Sequence, residues 1–265
     1  MLFSFCFNLT CFSSEKVKIN YNSINKVEIP LTIEKGLPFV TIKREGQNFK
    51  LLFDTGANQE TIRLTLSSVK KINVEYITEK SRIVDPMGNK YIERQFLVPR
   101  MNLGDIEFRD IIASEESRDF PFDGVLGNKI LECFFVLIDY QSSRVVFYSK
   151  DFYPQDLFLD KWDKITFEYD EGDIIFTGKF DQNGEELTFL LDSGMRAIDD
   201  NGTYGFFRGS TYIEKRLTET NPFRKDHLFI DGFDIGPMDF KIKNYVFPLV
   251  DGVLGYNSHQ DTNYS

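Results

Sequence analysis

At 265 residues, 42% of them apolar and 27 of them phenylalanine, the chain can fill one large packed core or two smaller ones, and its composition is not that of a disordered segment. A net charge of −10 argues against a nucleic-acid partner, which would call for a basic patch. With three cysteines and two histidines, no Cys/His cluster has zinc spacing. No glycine-rich phosphate loop occurs either, so no cofactor or metal is expected and a Ser-His or Cys-His hydrolase is poorly supported.

Residues Met1 to Phe12 are apolar apart from Ser4, Asn8 and Thr10, and the text turns polar at Ser13-Ser14-Glu15-Lys16. This has the character of the end of a secretory leader with a small-residue cleavage site near Ser13 or Ser14. Residues 1–14 are therefore read as a leader remnant, with Cys11 as an alternative lipid acceptor and a buried N-terminal strand as the other reading. The first two place the protein outside the cell, in a periplasm or lipid-anchored at a surface; the last allows a cytoplasmic one. No run of 18 apolar residues is present, so no membrane-spanning helix is expected.

From Lys26 onward the sequence is strand-like. Val27 to Ile33 and Pro38 to Ile42 alternate, and a turn around Glu45-Gly46-Gln47-Asn48 leads into Phe49-Lys50-Leu51-Leu52-Phe53-Asp54. A hairpin is predicted to deliver Asp54, with Thr55 and Gly56 making the tight turn that ends its second strand. Ile83 to Ile92 reads as two apolar arms around a Pro86-Met87-Gly88-Asn89 turn. Phe96 to Phe108 is strand, glycine turn, strand; Phe122-Asp123-Gly124-Val125-Leu126-Gly127 follows. Cys133 lies among apolar neighbours and reads as an inert core thiol.

The second half repeats this order. A strand pair from Ile165, with a turn at Asp181-Gln182-Asn183-Gly184, leads to Leu187-Thr188-Phe189-Leu190-Leu191-Asp192-Ser193-Gly194, 138 residues after the first such turn. Leu228 to Phe240 is again strand, glycine turn, strand, and Val250-Asp251-Gly252-Val253-Leu254-Gly255 matches its counterpart almost letter for letter. This is a long internal repeat. The rhythm breaks near Lys150 to Lys161, which divides the chain into residues 15–150 and 151–265.

A strand ending in Asp-Thr/Ser-Gly, followed by an apolar-apolar-Gly segment, resembles the aspartic proteases of the retropepsin and pepsin type. The likeness is greatest to retropepsin-like proteins with two such lobes on one chain, and it covers about residues 27 to 255. It implies an all-β fold of two retropepsin-like β-barrel lobes related by an approximate dyad. It also implies a catalytic pair, Asp54 and Asp192, in the cleft between them. Two like charges at contact distance share one proton, so that one carboxylate acts as base and the other as acid on a bound water. In this family the hydroxyls after the aspartates, here Thr55 and Ser193, brace the two loops, and Gly56 and Gly194 permit their close approach. Leu126-Gly127 and Leu254-Gly255 would pack behind the aspartate loops. The turn at Pro86, Met87 and Gly88 is the flap candidate; Leu217 to Arg224, its counterpart, is less hairpin-like. A peptide or protein substrate follows, on a chain acting as a monomer.

Three features depart from the pattern. Met195 stands where the family has a small residue, Arg196 beside it is placed to pair with Asp192, and after Gly255 the closing strand pair of the second half is missing. Either the sequence stops short of that pair, or another segment, such as Lys16 to Tyr21, fills the vacancy. Two other functions stay open: a non-catalytic peptide-binding protein on the same two-lobe scaffold, and a homodimer using only Asp54.

Overall fold

The computed structural model describes residues 4–8, 18–20, 25–57, 61–85, 88–118, 120–151, 165–170, 172–196, 205–208, 223–244 and 250–256. These are almost entirely β-strand. In chain order come β1 (Ser4–Asn8), β2 (Lys18–Asn20), β3 (Lys26–Pro30), β4 (Thr32–Glu34), β5 (Leu37–Arg44), β6 (Gln47–Phe53) and β7 (Ile62–Thr65). The short helix α1 (Leu66–Val69) precedes β8 (Glu75–Val84), β9 (Lys90–Leu103), β10 (Ile106–Glu116) and β11 (Gly124–Leu126). A second short helix, α2 (Asn128–Leu131), leads to β12 (Phe134–Asp139) and β13 (Arg144–Ser149). Then follow β14 (Glu168–Asp170), β15 (Asp173–Lys179), β16 (Leu187–Arg196), β17 (Gly205–Arg208) and β18 (Phe223–Lys225). The last four are β19 (Phe229–Ile230), β20 (Phe233–Asp234), β21 (Met238–Lys243) and β22 (Gly252–Tyr256).

Three sheets result. One contains β2 and β4 to β11, one contains β14 to β22, and a third, in the order β1-β12-β13-β3, shares no strand pairing with either but packs on the first through the main core. The β5–β6 hairpin turns through Glu45 and Gly46, both at positive φ (50° and 79°), the pair of left-handed residues a two-residue hairpin loop needs. Its counterpart before β16 is longer, closed by the Gly184 N–H donating to the Asp181 carbonyl at 2.8 Å. Strand β6 is apolar on both faces at its end because it is covered on both; Leu51, Leu52 and Phe53 are all buried.

Beside β6 lies β11, parallel to it and antiparallel to β7. Gly124 is what lets it in: a Cβ there would stand 2.0 Å from the Arg63 carbonyl oxygen. In the second half β22 is likewise parallel to β16 and antiparallel to β17. Strands β7 and β17 continue in parallel beside β10 and β21. The main core gathers Phe49, Phe53, Phe96, Phe108, Phe134 and Phe147; a smaller one packs Phe176, Phe189, Phe223 and Phe240. Each such ring contributes about 1.5–3 kcal/mol by leaving water.

The N-terminal segments differ from one expectation. Lys18–Asn20, proposed from sequence to complete the second half, instead pairs antiparallel with Glu107–Arg109 of β10. The early part of β10 carries one free edge, since β7 reaches only its last residues, and β2 fills that edge. Ser4–Asn8, within the leader-like stretch, runs antiparallel along β12. Residues 152–164 and 257–265 lie outside the described residues.

Candidate active site

Asp54 leaves β6 with its N–H on the Leu126 carbonyl (3.0 Å), so β11 fixes where the turn begins. The Gly56 N–H then donates to Asp54 Oδ1 at 2.9 Å. Across from it, the loop of Asp192 is bound reciprocally. The Thr55 N–H donates to Ser193 Oγ (3.0 Å), and the Ser193 N–H to Thr55 Oγ1 (2.9 Å). Each hydroxyl passes its own proton onward: Thr55 to the Leu191 carbonyl (2.9 Å), Ser193 to the Phe53 carbonyl (2.7 Å). Both side chains are buried and fully used.

The two glycines are the condition for this approach. A Cβ on Gly56 would lie 2.5 Å from Asp192 Cγ, and one on Gly194 would lie 2.2 Å from Asp54 Cγ. Each glycine thus faces the opposite carboxyl, which brings the two carboxyl groups beside each other. Both aspartates keep some solvent access at their outer edge, while the packing around them desolvates a charge.

Burial is the largest influence on either group and raises both above the ordinary carboxylate range. The two then diverge. Around Asp54, the Gly56 N–H, the Asp192 hydrogen bond, the Arg63 charge and the Ala57 N–H all pull back down. Around Asp192, the charge and hydrogen bond of Asp54 push further up, against the N–H groups of Met195 and Gly194. Both carboxyls are therefore raised, and their titration belongs to the pair and not to either residue. Among the described residues, Asp192 Oδ1 has no hydrogen-bond partner.

Three supports of the site were not assigned from the sequence. Asp123 Oδ2 accepts from the Lys50 N–H (2.9 Å), and Asp251 Oδ2 from the Thr188 N–H (2.8 Å) and hydroxyl (3.1 Å). Each acid of the Asp-Gly-Val-Leu-Gly segments thus holds the strand four residues ahead of an aspartate of the pair. Asn128 is fully buried, and its amide donates to the carbonyls of both Thr55 and Gly172 (2.6 Å to the latter), joining α2 to the start of β15. Arg63, on β7, sits in a buried ion cluster with Glu93 and Glu116. Recurrence of the acid before Gly-Val-Leu-Gly was a signal for the first; the others leave none.

Met195 does not plug the site. It packs on Leu190, Val250 and Val253, as Ala57 packs on Phe39, Leu52 and Val125. Leu126 and Leu254 are buried behind the loops. Cys133 is in no disulfide; it packs on the main core and its Sγ donates to the Lys129 carbonyl at 3.7 Å. The β8–β9 arms pair Ile83 with Tyr91 and Val84 with Lys90, and Gly88 takes φ 84°. Asp85 ties the turn, its Oδ1 accepting from the Asn89 N–H at 2.9 Å. Pro86 and Met87, the Arg196 side chain and residues 217–222 lie outside the described residues.

Among the described residues, no group of three or more His, Cys, Asp or Glu side chains is placed to hold a metal ion, and no helix is long and apolar enough to cross a membrane. No protein-family model and no curated protein matches the chain. Among solved structures it is similar to a retropepsin-like aspartic protease from Rickettsia conorii, at 18% identity and a TM-score of 0.35, the likeness covering 51% of this chain and 93% of that one.

Proposed function

We propose that the chain is an aspartic-type endopeptidase of two retropepsin-like lobes, with Asp54 and Asp192 as its catalytic pair. The observation that carries this is the close approach of the two carboxyls, each against the glycine of the other's loop, with the loops bound to each other through Thr55 and Ser193. Such an arrangement holds one proton between two acids, which is what hydrolysis by activated water requires.

In this reading a water bound between the carboxyls gives its proton to Asp54 as it attacks the peptide carbonyl carbon. Asp192 hydrogen-bonds the carbonyl oxygen and gives up its proton to the oxygen that becomes negative. As the tetrahedral diol collapses, the proton taken by Asp54 passes to the leaving nitrogen, one hydroxyl of the diol returns its proton to Asp192, and the amide bond breaks, leaving the pair as it began. No metal or cofactor takes part. The β8–β9 turn around Pro86, Met87 and Gly88 closes over a peptide or protein substrate. Because Asp54 meets an aspartate of its own chain, one copy suffices.

The test is cleavage of a mixed peptide library between pH 3 and 7 by the wild type and by Asp54→Asn and Asp192→Asn, with the mass in solution measured in parallel. Cutting by the wild-type monomer and loss in both variants is expected. Cleavage surviving Asp192→Asn, or none by the wild type at any pH, refutes the reading.

A further inference from the structure

Each aspartate loop is backed by a small apolar cluster, and the two clusters correspond position by position. Side chains alternate along a strand, so Leu52 shares a sheet face with Asp54, and Leu190 shares one with Asp192. The opposite faces, through Leu51 and Phe53 or through Phe189 and Leu191, enter the two main cores. On the aspartate faces, Leu52 is paired with Phe39 and Val125, and Leu190 with Ile175 and Val253. Phe122 and Val250, each directly before an Asp-Gly-Val-Leu-Gly segment, join their clusters; so do Ala57 and Met195, each the third residue after its aspartate.

The frame is shared, but the side chains at three matched positions are not. Where the first half has Phe39, Phe122 and Ala57, the second has Ile175, Val250 and Met195. The first-half rings form a row. The centroid of Phe122 lies 5.3 Å from that of Phe39 and 4.9 Å from that of Phe120, on which it stacks at 14°. Lys50 Nζ covers the Phe39 ring, 4.5 Å from its centroid. At the inner end of this row Ala57 adds only a methyl group. At its counterpart stands a long unbranched thioether, held against Leu190, Val250 and Val253.

Ala57 and Met195 are both half-buried, as are the two aspartates. Each therefore packs on its cluster by one side and meets solvent by the other. Each also directly follows a glycine that abuts the carboxyl of the opposite loop, so both border the place where a peptide bond would lie. We propose that the site is sided: the Ala57 side, with its row of rings, takes a large aromatic or apolar side chain of the peptide, and Met195 restricts the other side to a small one. This rests on the reading of Asp54 and Asp192 as the centre of a peptide site. Rings seated on rings gain contact beyond plain burial, and a single methylene admitted to or excluded from an apolar pocket changes discrimination by about 10–200-fold.

The experiment uses short peptides in which a hydroxyl-bearing carbon replaces the scissile carbonyl, imitating the tetrahedral species. One carries Phe before and Ala after that carbon, a second the reverse order, and a third Phe on both sides. Their binding to the wild type, Met195→Ala and Ala57→Met is measured by calorimetry, beside cleavage of the matching amide peptides read by mass spectrometry. The wild type is expected to favour one order by about tenfold or more and to bind the double-Phe peptide less tightly than the favoured one. Met195→Ala should erase the preference by accepting Phe on both sides, and Ala57→Met should weaken the favoured order. Equal treatment of the two orders by the wild type overturns the proposal, as does a preference that survives Met195→Ala unchanged. Should Met195→Ala not fold, Met195→Val, shorter but still able to pack on Val250 and Val253, decides by the same comparison. Binding in one order without cleavage removes the protease reading alone, cleavage without an order preference removes this inference alone, and no binding of any peptide removes both.

Discussion

Gly194→Ala is the sharpest test of the candidate site, because it adds one methyl group and nothing else. The added carbon would stand 2.2 Å from Asp54 Cγ and 2.5 Å from both of its oxygens. Ordinary contact begins near 3.4 Å, so the overlap is about 1.2 Å, and the neighbour is a short side chain on a bonded turn with nowhere to swing. One loop must retreat by about an ångström. Overpacking of this kind costs about 1–3 kcal/mol in stability. The larger effect is on the pair: a misplacement of about 1 Å between reacting groups lowers rate by roughly 10²-fold. Under the proposed function kcat/KM should fall by at least that factor while the fold persists by circular dichroism. Gly46→Ala is the control. Gly46 has open space around it but φ 79°, so alanine there strains the turn by about 1–2 kcal/mol and should leave kcat unchanged. Full activity in Gly194→Ala would mean that the carboxyls are not held at this distance in the working protein, and the reasoning would fail.

Three further outcomes are expected. Asp192 holds its proton in the fold above the pH at which it ionises in the unfolded chain, so its contribution is present at low pH and lost as pH rises through the folded value. The Tm of Asp192→Asn relative to the wild type should therefore climb from about pH 4 toward neutrality, and a flat difference would contradict it. Thr55→Val and Ser193→Ala each strand a buried N–H and a carbonyl and should each cost about 2–3 kcal/mol by urea unfolding; no loss in either variant would contradict those bonds. Asn128→Leu leaves the carbonyls of Thr55 and Gly172 unpaired, and a loss of about 1–3 kcal/mol with an unchanged denaturant slope checks it.

What the sequence disclosed and what it concealed divide along physical lines. Strand ends, turns and the two aspartates were legible because they are written in short-range chemistry: an apolar run, a small hydroxyl residue, a glycine. The Arg63 cluster was not. In Thr61-Ile62-Arg63-Leu64-Thr65 an arginine between apolar residues reads as the solvent side of an alternating strand. Yet β7 is sandwiched between β10 and β11 and buried at every position, and its counter-ions lie 30 and 53 residues away. Asn128 was hidden for the same reason, its partners being backbone carbonyls 73 and 44 residues distant. The pairing of Lys18–Asn20 with β10 went unforeseen because a three-residue strand carries too little pattern to name its neighbour.

The reciprocal bonds of Thr55 and Ser193 have a mechanical consequence. They lie at one spot, and they tie the first and second halves of the chain directly beneath the acids. Any rocking of one half against the other would pivot there, where displacement is least, so the walls of a cleft could swing apart to admit a chain while the chemistry at its floor stays in register. Opening and readiness are then separate degrees of freedom, and a substrate need not reassemble what it finds.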